Sequence, residues 1–227
     1  MNAYSFSFII LGSLLFYYGF LLDHIVFSTI SYWLGTCFFC VGSSYGFKST
    51  AVFGKNNDGK LAPAHRAFMF PYLLYTRFTW NILRYVIRED VFNELIPGVF
   101  IGRRTVAGEL PGNIKLIIDL TCEFDEADEV KKQREYICFQ MLDGFAPRPL
   151  ELKKLIERIK NYDGDIYIHC AQGHGRTGLA ACALVLSKGL AKTPKEAVDL
   201  VISKRPKVRL NSIQQAFLER NFELFTA

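Results

Sequence analysis

The chain reads as an α/β domain, with a central sheet flanked by helices, preceded by an N-terminal transmembrane helical hairpin. Three observations predict this. Residues 1–22 and 25–47 carry no charged side chain, and all 27 Lys and Arg lie at or beyond Lys48. From about residue 92, short apolar strands alternate with segments of helical periodicity. The strand candidate DIYIHC (165–170) runs directly into a glycine-rich segment, and an apolar helix follows.

The hairpin comes first. Each uncharged run reaches the roughly 20 residues needed to cross a hydrocarbon core. Asp23-His24 is the only polar break between them, so a tight turn joins the two helices. Lys48, Lys55, Lys60 and Arg66 follow the second run. By the positive-inside tendency they place that end, and the domain after it, in the cytoplasm. The start lacks the basic flank and small-residue cleavage site of a signal peptide, which favours an anchor.

Residues 48–91 read as a linker and an interfacial helix. GKNNDGKLAP (54–63) is turn chemistry. In 67–90, aromatic and apolar residues surround sparse bases. At about 100° per residue, Arg66, Arg77, Arg84 and Arg88 fall within one narrow stripe. This suits a helix lying in the bilayer interface and starting at or after Pro71; the alternatives are a third span or a helix packed on the next domain.

Residues 92–227 form the α/β domain. VFIGR (99–103), IKLIIDL (114–120), EYICFQM (135–141) and DIYIHC (165–170) read as strands, the second apolar enough to be covered on both faces. EFDEADEVKKQ (123–133) reads as an exposed, partly helical connection, and DGFAPRP (143–149) as a loop. Helices are predicted over 150–162, 176–190, 194–204 and 212–225. Thr193, Pro194 and Glu196 supply the N-cap, N1 and N3 of the third.

The net charge of +5 gives no footprint for nucleic acid. The six cysteines show no paired framework. Cys37 and Cys40 lie within an apolar run, and Cys122, Cys138 and Cys182 read as core. Cys170 is the exception.

HCAQGHGRTG (169–178) admits two readings. As a metal site it has His169, Cys170 and His174 close together, but no second ligand pair, and Arg176 would set a cation beside the metal. As an anion cradle every position has a use. Glycines at 173, 175 and 178 let successive backbone N–H groups turn inward, the helix N-terminus adds its dipole, and Arg176 offers a planar fork for two phosphate oxygens. The same field favours a Cys170 thiolate, a nucleophile aimed at phosphorus. The segment lacks the Gly-Lys-Ser/Thr ending of a nucleotide-binding loop.

His169-Cys170, five residues, then Arg176-Thr177 resembles the H-C-x5-R-[ST] signature of the protein tyrosine phosphatase superfamily. The likeness spans about 92–227, including IKLIIDLT and RPKVRLNSIQQAFL, and its compact size resembles the dual-specificity branch. The resemblance implies a dual-specificity-phosphatase-like sheet, no metal and no cofactor. It implies Cys170 as nucleophile, and Arg176 with the loop of Ala171, Gln172, Gly173, His174 and Gly175 as phosphate binders. It also implies Thr177 as a donor to the sulfur and His169 as support. The branch carries its general acid on a loop about thirty residues upstream. Asp143, 27 residues before Cys170, matches, while Asp119, Asp163 and Asp165 match less well.

The substrate implied is a phosphorylated protein carrying phosphotyrosine, phosphoserine or phosphothreonine. The alternative is a phospholipid phosphomonoester such as phosphatidylglycerophosphate. The loop has no lysine for the extra phosphates of a polyphosphoinositide, and the anchor favours a substrate held at the membrane. An inactive phosphate-binding membrane adaptor is the reading from another class.

Overall fold

A computed structural model describes residues 3–226 and divides the chain into two compact units. One comprises the chain up to Asn56, Lys60–Val86 and Cys122–Asp125; the other comprises Asn57–Gly59, Ile87–Thr121 and the chain from Glu126 onward.

The first unit is built on helices α1 (Ala3–Leu21) and α2 (Ile25–Phe47), both long and apolar enough to cross a membrane. Their seam combines small and hydroxylated residues with aromatic pairs, Phe8 on Phe38 and Tyr45, and Phe16 on Tyr32 and Phe39. Ser5 donates to the Gly42 carbonyl at 2.7 Å, Ser28 to Gly19 at 2.8 Å and Ser31 to Leu15 at 2.7 Å. A side chain at Gly12 would press on the Gly35 carbonyl at 3.0 Å, so glycine is what lets the backbones approach. Other large apolar side chains point outward, among them Phe6, Leu14, Tyr17, Phe20 and Ile25. At the turn, His24 Nδ1 accepts the Val26 amide at 3.3 Å and caps α2.

A 3-10 turn (Ala51–Phe53) leads to α3 (Pro63–Phe68) and α4 (Phe70–Val86). The helix predicted to start at or after Pro71 begins at Phe70, just before it, follows the short separate α3, and ends at Val86. Pro71 sits in the first turn of α4, where its missing N–H costs nothing. The stripe of four arginines is not formed on one helix: Arg77 and Arg84, seven residues apart, share a face of α4, while Arg66 lies in α3. Arg66 and Arg77 both turn to Asp125, at 2.9 and 2.6 Å. Arg84 lies over the rings of Trp80 and Tyr85, and Arg88 falls beyond the helix. One face of α4 buries Tyr72, Leu73 and Trp80, while Phe70, Leu74, Phe78, Ile82 and Tyr85 are exposed.

The second unit holds a five-stranded sheet in the order β1-β2-β5-β3-β4. The strands are β1 (Phe92–Ile96), β2 (Val99–Arg103), β3 (Ile114–Thr121), β4 (Glu135–Met141) and β5 (Asp165–Cys170). All neighbours are parallel except β1 and β2, a hairpin closed by Pro97-Gly98 with Gly98 at φ 77°. A one-turn α5 (Asp128–Lys131) and α6 (Pro149–Lys160) connect β3 to β5, and α7 (Gly175–Ser187) follows β5. The chain ends in α8 (Pro194–Lys204), α9 (Ser212–Asn221) and α10 (Glu223–Thr226). The last two replace one predicted helix, which breaks at Phe222 and turns Phe225 into the core.

Strand alternation decides what faces what. Ile166, Ile168 and Cys170 of β5 join Leu116, Ile118 and Leu120 of β3 in the main core, against Leu152, Ile156 and Ile159 of α6 and the buried length of α7. Tyr167 packs on the other face with Ile114, Ile117 and Val130. The central strand is thus covered on both sides, and it delivers Cys170 at its C-terminal end between β2 and β3. The 123–133 connection is less exposed than its charges suggest, since Glu123, Phe124 and Glu126 are buried.

Candidate active site

Cys170 is the last residue of β5, 3% exposed, and its Sγ accepts the Gly173 N–H at 3.3 Å. The loop after it is turned so that its carbonyls are bound on the outside. Arg104 N–H holds the Ala171 carbonyl at 3.1 Å. Arg205 holds Gln172 through Nη2 at 3.3 Å and Gly173 through Nε at 2.9 Å. The His174 carbonyl accepts Gly178 N–H at 2.9 Å as the first bond of α7. In a trans peptide the N–H points opposite to the C=O, so binding these carbonyls outward presents the following amides inward. Such an arrangement can hold an anion, with the N-terminus of α7 at the end of the loop.

The glycines are there for close approach. Gly173 has φ 74°, and a Cβ on it would fall on the backbone of Gly102 in β2. A Cβ on Gly178 would strike Val208.

Arg176 is buried at the start of α7, with Nη1 donating to the Met141 carbonyl at 3.1 Å. Its Nε lies 3.2 Å from Asp143 Oδ1, and the Asp143 side chain is 70% exposed. Of the carboxylates considered from sequence, Asp143 is therefore the one brought to the loop arginine. The other candidates lie elsewhere: Asp119 pairs with Tyr136, and Asp165 at the start of β5 with Asn113. The loop bearing Asp143 is gripped from α9. Asn211 Nδ2 donates to the Gly144 carbonyl at 2.7 Å and Gln214 Nε2 to Phe145 at 3.4 Å. The same two residues form the capping box of α9, and the Gln214 amide lies where a Gly175 side chain would go.

Sequence reasoning gave no role to Arg205, Glu89, Asn211 or Gln214. Arg205 is fully buried and ion-paired to Glu89 at 2.7 Å; burial pulls its pKa down, and Glu89 opposes that. Glu89 also accepts from His174 at 2.7 Å. These contacts explain why the preceding helix stops short. Glu89 and the carbonyls of Arg88 and Asp90 are taken by His174, Lys207 and Arg205 within the second unit. The Asn-x-x-Gln spacing of the capping box was legible in the sequence. Arg205, one base among Lys204, Lys207 and Arg209, was not.

Thr177 is fully buried, and its hydroxyl has no hydrogen-bond partner among the described residues. His169, on the opposite sheet face from Cys170, stacks on Tyr167 and contacts Glu126. None of the six cysteines is in a disulfide. Cys182 is a useful contrast: burial pushes its thiol up to about 12, which keeps it an inert core residue.

A model of the dual specificity phosphatase catalytic domain matches residues 107–221, half of the chain. No curated protein matches in sequence. Among solved structures, Tk-PTP in the active form superposes with a TM-score of 0.53 at 23% identity, over 59% of this chain and 97% of that one. PTPMT1 in complex with PI(5)P gives 0.53 at 16%, over 60% and 97%. A mouse putative dual specificity phosphatase complexed with zinc tungstate gives 0.52 at 17%, over 60% and 89%. These likenesses show the fold, and the family match runs through the cradle itself. The chain belongs to the dual specificity phosphatase family and is a hydrolase of phosphoric monoesters.

Proposed function

We propose a membrane-anchored, cysteine-dependent phosphatase of dual-specificity type, which removes phosphate from tyrosine, serine and threonine of proteins at the bilayer. One observation carries the chemistry: the outward-bound carbonyls of 171–174 make an anion cradle over Cys170, with Arg176 and Asp143 in contact at its edge. The Cys170 thiolate attacks phosphorus while Arg176 and the loop amides hold the equatorial oxygens. As the P–O bond breaks, Asp143 gives its proton to the departing oxygen, leaving a phosphocysteine. Water then attacks phosphorus, Asp143 takes its proton back, and the S–P bond breaks to release phosphate. The unpartnered Thr177 hydroxyl supplies a hydrogen bond to the leaving sulfur. The protein's own groups complete this cycle.

The hairpin supports the anchor. Serines and glycines bring its backbones together, and many large apolar side chains lie exposed around it, which lipid favours and water does not. Lys48, Lys55 and Lys60 after α2 support a cytoplasmic catalytic unit, where thiols stay reduced. The exposed apolar face of α4 supports an interfacial position for that helix, now on aromatic contact rather than a basic stripe.

The same surfaces favour a second substrate reading, a phospholipid with a single terminal phosphate. The experiment is turnover by the full-length protein in detergent against matched panels of phosphopeptides and phospholipids. Faster turnover of phosphopeptides supports the first reading, and faster turnover of a phosphomonoester lipid replaces it with the second. No turnover of either, with oxyanion binding intact, would make the chain an adaptor.

A further inference from the structure

Behind the cradle, on the sheet face opposite Cys170, Asp119, Glu126 and His169 bring their ligating atoms within 4.8 Å of one another, all buried. Asp119 on β3 is the register partner of His169 on β5. The two carboxylates are not equivalent. Asp119 is fully employed: Oδ1 accepts the Thr121 amide and hydroxyl at 2.8 and 2.7 Å, and Oδ2 accepts the Tyr136 hydroxyl at 2.7 Å. Burial and the nearby Asp119 charge push the Tyr136 hydroxyl far up, so it remains a donor. Glu126 gives Oε1 to the Ala127 amide at 3.0 Å, while Oε2 is buried without a hydrogen bond and faces His169 Nε2 at 3.4 Å.

His169 is held between this carboxylate and the nucleophile's own backbone. Its Nδ1 lies 3.4 Å from the Cys170 carbonyl, and its ring stacks on Tyr167 at 5.4 Å and 19°. Side chains 169 and 170 point to opposite faces, so His169 reaches the sulfur only through the main chain. A buried carboxylate facing an imidazole nitrogen is costly unless a proton lies between them. We infer that Glu126 is a positioning residue for the phosphatase reaction: it holds His169 with a proton on each ring nitrogen, so that Nε2 donates to Glu126 and Nδ1 donates to the Cys170 carbonyl, and this fixes the Cys170 peptide, and its sulfur, beneath the cradle.

The inference rests on Cys170 as nucleophile, and the two fail differently. If Cys170→Ser keeps turnover, the nucleophile is wrong. If Cys170→Ser is inactive but Glu126→Gln has wild-type kcat, only the positioning role is wrong. The test is a double-mutant cycle of Glu126→Gln and His169→Asn in the full-length protein in detergent, with an aryl phosphate as substrate and tungstate as oxyanion probe. Glu126→Gln is expected to lower kcat by about ten- to a hundredfold, the scale of a small misplacement of a reacting group. KM and the tungstate inhibition constant stay within about threefold, because Arg176 and the loop amides still bind the anion. In the His169→Asn background, the same substitution has almost no further effect. Equal losses in both backgrounds, or kcat and tungstate affinity falling together, would overturn it.

Wild-type protein supplies a readout that does not depend on a variant folding. Long-range 15N spectra of the imidazole should show both His169 nitrogens protonated, and a bare Nδ1 or Nε2 contradicts the inference. Tightly bound stoichiometric metal whose removal silences the enzyme would contradict it too, by making the three side chains ligands.

Discussion

The two units solve opposite packing problems with the same chain. In the hairpin, small and hydroxylated residues share the seam with stacked aromatics, and many other bulky apolar residues face out. In the phosphatase unit, aliphatic side chains fill the interior, and the largest fully buried side chains are two arginines, Arg176 and Arg205. In the proposed membrane setting no hydrophobic force would act between apolar helices, and close backbone approach and interhelical hydrogen bonds would hold them. In the sheet unit water drives burial, and a buried cation is tolerated only where partners meet it. Arg205 meets Glu89, Asn93 and the loop carbonyls, and Arg176 meets the Met141 carbonyl and Asp143. Polar groups buried in the first unit therefore hold helices together, and those buried in the second build a site.

Substitutions that exchange these roles should have unequal effects. The largest is expected at Arg176. Lysine keeps the charge but loses the planar fork, so Arg176→Lys should lower kcat/KM on an aryl phosphate by roughly 10³-fold. A loss below tenfold would remove Arg176 from phosphate binding. Next is Arg205→Met, which takes the arginine from Glu89, leaving it His174 alone, and releases the Gln172 and Gly173 carbonyls. It should cost about 3–5 kcal/mol of stability, read by chemical denaturation of the full-length protein in detergent. A change under about 1 kcal/mol would show that Arg205 is dispensable as a brace. Asp143→Asn should lower kcat on alkyl phosphates by about 10²-fold or more, with a smaller loss on good leaving groups. Uniform kinetics across leaving groups would move the acid elsewhere. Smallest is Ser5→Ala in the hairpin seam, about 0.6 kcal/mol in a membrane helix-association assay. A cost several times larger would mean that the seam does not behave as a membrane interface.

The fold was largely legible because its signals are local. The continuous apolar run 114–120, the alternation before Cys170 and the Thr193-Pro194 start of α8 each match an element. β1 was missed although Pro97-Gly98 marks its turn, since FNELI alternates poorly between apolar and polar residues. Wheel geometry put Arg66, Arg77, Arg84 and Arg88 on one stripe. That geometry assumes one unbroken helix and takes no account of Asp125, which lies far off in sequence. At the candidate site, spacing singles out Cys170 and Arg176, and distance upstream singles out Asp143, the carboxylate that lies 3.2 Å from Arg176. Arg205 and Glu89 do not, because their meaning is a contact between segments remote in sequence. Glu126 looked like surface charge within an acidic run, and only the pairing of β3 with β5 places it near His169.

The central claim is that Cys170 attacks phosphorus in a cradle formed by protein groups alone. The most direct measurement is phosphate release from an aryl phosphate by the full-length protein in EDTA, beside its Cys170→Ser variant, with tungstate binding measured on both. The account predicts undiminished turnover by wild type in EDTA, none detectable from Cys170→Ser, and tungstate bound by both. Equal hydrolysis by the two proteins would contradict it.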